Sequence, residues 1–177
     1  MQVIKRLAGL LLLLLLLTAA YSLLVNTDWE VEHRLEIDAS PATVWQLLAD
    51  LDNYASWNSY SPNVSGVFAE GEPIVIEARL GDRVQIVQNR IVSIIPEQEL
   101  CWHSAGWYAP LSNGLRCRWL TELDNGKTLL VHHELMAGHL AWLTGALFYD
   151  KVKNGLRTVN ESVAAEAQRL ERATARR

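Results

Sequence analysis

The chain has 177 residues, half of them hydrophobic, with 16 Lys+Arg against 20 Asp+Glu and a formal net charge of −4. That balance lacks the basic footprint of a nucleic-acid-binding surface, and charge and hydrophobicity are both too ordinary for a disordered chain. Two cysteines exclude a disulfide-rich miniature scaffold.

The apolar excess is concentrated at the start. Lys5 and Arg6 precede an uncharged run, Leu7 to Val25, in which Leu10 to Leu17 is unbroken leucine. As a helix this run is about 28 Å long, close to the ~30 Å hydrocarbon core of a bilayer. Its leucines favour insertion by roughly 3–7 kcal/mol. The basic pair lies before the run and Asp28, Glu30 and Glu32 lie after it. Positive-inside bias then keeps the N-terminus cytoplasmic and exports the rest of the chain. Thr18-Ala19-Ala20 also offers the small residues of a leader cleavage site, which would leave a secreted or periplasmic domain. Because the apolar run continues past Ala20, an uncleaved single-pass anchor is the reading adopted. Residues 1–25 are thus an anchor or signal peptide and residues 26–177 a single domain. Setting Lys5 and Arg6 aside leaves that domain 14 basic against 20 acidic residues.

From Trp29 to Asp38, Trp29, Val31, His33, Leu35 and Ile37 alternate with charged residues, the period of a half-buried strand. Ser40-Pro41 gives an N-cap with proline in the first helical turn, so Ala42 to Asp50 reads as a short helix. A second helical turn covers Leu51 to Trp57. Strands then follow at Val64–Glu70, Pro73–Leu80, Arg83–Ile94, Glu99–Tyr108, Gly114–Leu123 and Lys127–Ala137. Gly71, Gly81-Asp82, Pro96 and the hairpin signal Asp124-Asn125-Gly126 punctuate them. Beyond Gly138, residues Val152, Leu156, Val159, Val163 and Leu170 recur at helical spacing and give one long amphipathic helix. One sheet and one striped helix must bury their apolar faces against each other. The fold class is therefore α+β: a seven-stranded antiparallel curved sheet around a long C-terminal helix, with an N-terminal transmembrane helix. A single helix does not fill so wide a concave face, so a cavity between the two is expected.

The stretches Ala39-Ser40-Pro41-Ala42-Thr43-Val44-Trp45-Gln46-Leu47-Leu48 and Asp50-Leu51-Asp52-Asn53-Tyr54-Ala55-Ser56-Trp57-Asn58 resemble the START-like, helix-grip superfamily (SRPBCC; polyketide cyclase/dehydrase and lipid transport). Ala55 stands where the family usually has proline. The resemblance spans Trp29 to Glu171 and implies an apolar cavity. It says little about function, because the superfamily holds binding proteins, lipid carriers and enzymes.

Alternation places His33 on the inner face of the first strand, and His133 inward on the last strand with Leu129, Val131 and Leu135. In the resembled fold these strands are neighbours, so the two histidines are candidates to orient a ligand. Trp57, Trp102, Trp119 and Trp142 are candidate ligand-binding walls. Arg79, Arg83, Arg90, Arg116 and Arg118 read as a solvated convex face. Simple register about the Pro110 loop sets Cys117 opposite Ala105 rather than Cys101, which disfavours a disulfide. His132-His133-Glu134 lacks the second histidine of a zinc-protease helix, since position 137 is Ala137. No metal or cofactor is expected, and no phosphate loop or nucleophile elbow is present. The nearly uniformly apolar stretch Leu140 to Tyr149 reads as deeply buried, as a ligand portal, or as a bilayer contact.

The function expected is a membrane-anchored domain that binds a hydrophobic small molecule or lipid. The alternatives are a cyclase/dehydratase-like enzyme with a cavity histidine as general base, and an interaction domain filled by its own aromatics.

Overall fold

The computed structural model describes residues 2–24, 27–81 and 83–174. The expected boundary at residues 25 and 26, Asp82 of its turn, and residues 175–177 lie outside the described residues.

Helix α1 (Gln2–Leu24) exposes Leu10 to Leu17 on all sides. Over Gln2–Ser22 it is long and apolar enough to cross a membrane, with a mean hydropathy of 2.2. Strand β1 (Trp29–Ile37) follows, then α2 (Pro41–Ala49) and a 3-10 turn (Leu51–Ser56). The Ser40 hydroxyl accepts from the Thr43 amide, and Pro41 occupies the first turn of α2, as the cap signal predicts. Five further strands complete a meander after β2 (Asn63–Gly66): β3 (Pro73–Leu80), β4 (Arg83–Ile95), β5 (Glu99–Ser104), β6 (Asn113–Glu122) and β7 (Thr128–Ala137). Helix α3 (Ala141–Thr174) ends the fold.

The strands form one seven-stranded sheet in the order β1-β7-β6-β5-β4-β3-β2, and every pairing is antiparallel. The first strand closes against the last, so α2 and the 3-10 turn must carry the chain to the far edge. Natural twist curls such a sheet into a trough. Helix α3 lies in it and buries Val159, Val163 and Ala167 in one cluster with Ile37, Ile74, Ile91, Leu100 and Leu130, and Val152 and Leu156 in a second with Val31, Trp29 and Phe148. Burial of each large aliphatic side chain contributes about 1.5–3 kcal/mol. The far end of α3 is tied down by Glu171, whose carboxylate accepts from the Ser40 amide (2.9 Å) and the Thr43 hydroxyl (3.0 Å). Those donors hold the Glu171 carboxyl below the usual carboxylate range.

The element order follows the sequence reading; strand phase differs in two places. On β7 the inward residues are Thr128, Leu130, His132 and Glu134, so His133 faces outward, opposite to the expectation. On β6 Gly114, Arg116, Arg118 and Leu120 face inward, so Arg116 and Arg118 leave the convex face where they were expected. Arg79, Arg83 and Arg90 are exposed. Both strands carry apolar residues at odd and even positions, so hydrophobicity does not choose the phase. A one-residue choice then flips every side chain.

The β5–β6 register also differs. Cys101 pairs directly with Cys117, and the two form a disulfide. Successive turns close the connecting loop, with Ala109 N bonded to Gly106 O, and Leu111 N and Ser112 N both bonded to Tyr108 O. They centre the hairpin on Ala109, which brings Cys101 rather than Ala105 opposite Cys117.

Candidate functional site

Register builds two polar rows across the concave face. One aligns Val31, Glu134, Arg116, Trp102 and Ile91. The adjacent row aligns His33, His132, Arg118 and Leu100.

In the first row Arg116 Nε and Nη2 both donate to Glu134 Oε2, and the pair is largely buried. Tyr60 also lies close enough to the guanidinium to favour its charged form. Burial works against the Arg116 charge, but Glu134 and Tyr60 outweigh it and raise its pKa. Tyr60 reaches this position because residue 155 is glycine: a Cβ there would stand 2.3 Å from the Tyr60 ring.

In the second row Arg118 stacks over the Trp102 ring, 4.3 Å from its centroid. Among the described residues its Nε and Nη1 have no hydrogen-bond partner. Burial lowers its pKa to about 10, which leaves it charged at neutral pH. His33 and His132 are bridged by Asn160 of α3. The amide oxygen sits 3.0 Å from His132 Nδ1, which must donate to it. The amide nitrogen donates to His33 O at 3.0 Å and lies 3.1 Å from His33 Nδ1. Among the described residues His132 Nε2 has no hydrogen-bond partner. Burial first, and then Arg118 and Arg116, push the His132 pKa well below its ordinary value, so the ring is neutral.

A cavity of about 170 Å³ lies between this face and the first half of α3. Ile76, Ala78, Leu80, Trp102, Phe148 and Val152 supply its apolar walls. Arg116, Glu134, Ser104, Ser112, Asn89 and Thr144 supply polar groups. A cavity of roughly 150 Å³ accommodates benzene, so this one suits a single-ring body. Drug-sized sites run to ~300–1,000 Å³.

Of the residues singled out from sequence, Trp102 lines the cavity. His33 faces α3 beside it, paired across the ladder with His132 rather than His133. His133 lies on the outer face, 3.2 Å from Glu30 and with its ring 5.7 Å from that of Trp119. Trp119 faces outward too and donates to Glu99. Trp57 is packed against Tyr54 in the core. The Trp142 indole donates to Ser22 of α1 and meets Tyr21 edge-on. Neither His33 nor His132 is among the cavity-lining residues. Sequence reasoning missed Arg116, Glu134, Tyr60 and Asn160. One signal was available: Asn160 interrupts the apolar stripe Leu156, Val159, Val163 at a buried helical phase.

Comparison with solved structures finds the same fold at low sequence identity. The Zhui aromatase/cyclase from Streptomyces sp. R1128 superposes with a TM-score of 0.67 at 19% identity, covering 80% of this chain and 94% of that one. Norcoclaurine synthase from Thalictrum flavum, in complex with dopamine and hydroxybenzaldehyde, gives 0.65 at 9% identity, covering 81% and 88%. A hypothetical protein from Helicobacter pylori gives 0.66 at 14%, covering 80% and 89%. No curated protein matches the chain. A family model, polyketide cyclase / dehydrase and lipid transport, matches residues 28–168. The helix-grip fold, the strand order and that match together establish that the chain belongs to the polyketide cyclase/dehydrase and lipid transport family.

Proposed function

We propose that this protein is a membrane-anchored START-like domain that binds a small amphiphilic molecule in the cavity between its sheet and α3. The observation that carries the reading is the lining: apolar walls around Trp102 and Phe148, with the Arg116–Glu134 pair at one side. Burying an apolar body contributes about 25 cal/mol per Å², and the ion pair orients a polar substituent. The ligand is one ring or a similarly small apolar unit bearing a hydrogen-bonding group, or the tip of a longer lipid. Lys5 and Arg6 ahead of the apolar helix, and a disulfide in the domain, support an extracytoplasmic domain on a single-pass anchor.

Native mass spectrometry of the detergent-extracted full chain tests this. A co-purified small molecule is expected, and Ala78→Phe, which fills the cavity from β3, should expel it. Ligand retained in Ala78→Phe at wild-type occupancy, or a protein that binds nothing from lipid extracts, overturns the reading.

A further inference from the structure

Two segments without a single Asp, Glu, Lys or Arg, residues 105–115 and 135–149, converge at one end of the fold. The Leu140 amide donates to Leu111 O at 2.9 Å, which joins the β5–β6 loop to the start of α3. On these segments Trp107 is 86% exposed, and Leu111, Leu143 and Leu147 are exposed as well. The last turn of α1 is fixed to the same place. Ser22 O lies 3.0 Å from His139 Nδ1, Ser22 Oγ accepts from Trp142 Nε1 at 3.0 Å, and Tyr21 packs edge-on against Trp142.

An exposed tryptophan and leucines are costly in water and favoured at a membrane interface, where Trp and Tyr gather. Charge-free segments suit the same boundary, because they bring no ion into the acyl region. Tyr108 and Ser112 of the loop, with Thr144 and Phe148 of α3, line the cavity. The exposed patch and the cavity wall are therefore two sides of the same two segments.

We propose that the end formed by the β5–β6 loop and the first turns of α3 rests in the interface of the membrane that α1 crosses, so that the cavity is loaded from the bilayer between those segments. The occupant of the patch is the lipid surface itself. This rests on the anchor reading of α1. It adds that the domain lies on the bilayer rather than standing off it, and it makes the ligand a membrane-partitioning amphiphile.

The test uses the full chain in phosphatidylcholine vesicles, with one introduced cysteine per variant carrying an environment-sensitive fluorophore. The native cysteines are consumed by their disulfide. The labels replace Trp107, Leu147, Leu14 in α1, and Asn125 in the β6–β7 turn at the opposite end. Brominated lipid should quench the probes at 14, 107 and 147 and spare the probe at 125. Quenching at 14 without quenching at 107 and 147 overturns the proposal and leaves the anchor standing. No quenching at 14 removes the anchor and the proposal together. Equal quenching at 125 and 107 overturns the orientation. Trp107→Ser with Leu147→Ser should slow uptake of a fluorescent fatty acid from vesicles while leaving uptake from detergent solution unchanged; equal rates from vesicles would overturn the loading route.

Discussion

His33 of β1 and His132 of β7 sit opposite each other on the concave face, and one buried side chain, Asn160 of α3, bonds to both. The amide serves as acceptor on one side and donor on the other. It therefore fixes the rotation of α3 about its axis as well as its distance from the sheet. Asn160→Leu should cost about 1–3 kcal/mol, because it strands the His132 donor in a dry site. Urea denaturation measures this; a midpoint unchanged from wild type would show that the bridge is not what seats the helix.

Stability should fall in mild acid through His132. In the folded chain its pKa lies well below 6.5; unfolded, it returns to about 6.5. Below that pH the unfolded state binds a proton the folded state refuses, so stability is lost as pH falls from about 6.5 toward the depressed folded value. The slope approaches ~1.4 kcal/mol per pH unit for one proton. His132→Gln should flatten the profile of urea midpoints between pH 7.5 and 5. An identical slope in both proteins would assign the acid sensitivity elsewhere.

The Arg116–Glu134 pair is expected to be costly to halve and cheap to remove. Glu134→Gln leaves Arg116 and Arg118 on neighbouring positions of one strand face with their carboxylate gone, at a cost of about 3–5 kcal/mol. Arg116→Met with Glu134→Leu should recover most of that loss while weakening retention of the ligand's polar end. Thermal denaturation of the single and double variants, with mass spectrometry of what each carries, separates the two effects.

The disulfide closes a sequence separation of 16 residues. Its removal by Cys101→Ala with Cys117→Ala should destabilise by about 3 kcal/mol, or roughly 6–12 °C in Tm for a domain of this size. Reduction should shift the wild-type Tm by a similar amount and leave the double variant unmoved.

Gly155→Ala should behave unlike an ordinary helix-interior substitution. Alanine normally stabilises a helix by ~1 kcal/mol over glycine. Here its methyl group would meet the Tyr60 ring, which would have to swing away from Arg116. A lower Tm is expected in this variant. A higher one would show that the ring has room to move.

Several element boundaries were legible because the signals are local, although β2 and β5 end four residues earlier than expected, at Gly66 and Ser104. Ser40-Pro41 caps a helix through its own hydroxyl and ring, and Asp124-Asn125-Gly126 turns a hairpin whatever surrounds it. The α3 stripe was legible for a related reason: its period alone names the buried face. The β6 and β7 faces were not, because Leu129, Val131 and Leu135 make as good an inner face as Thr128, Leu130 and Met136 until neighbouring strands are in place.

Sequence alone determined the order of elements, the curved antiparallel sheet around one long helix, the apolar N-terminal helix, and the family. These follow from short-range propensity, periodicity and a contiguous motif. Only tertiary structure decided that Arg116, Arg118 and His132 face inward, that Cys101 meets Cys117, and that Asn160 spans two histidines more than a hundred residues from one of them. Each of those depends on register between strands or on the docking angle of α3. Hydrogen-bond ladders set register only once the whole sheet has closed.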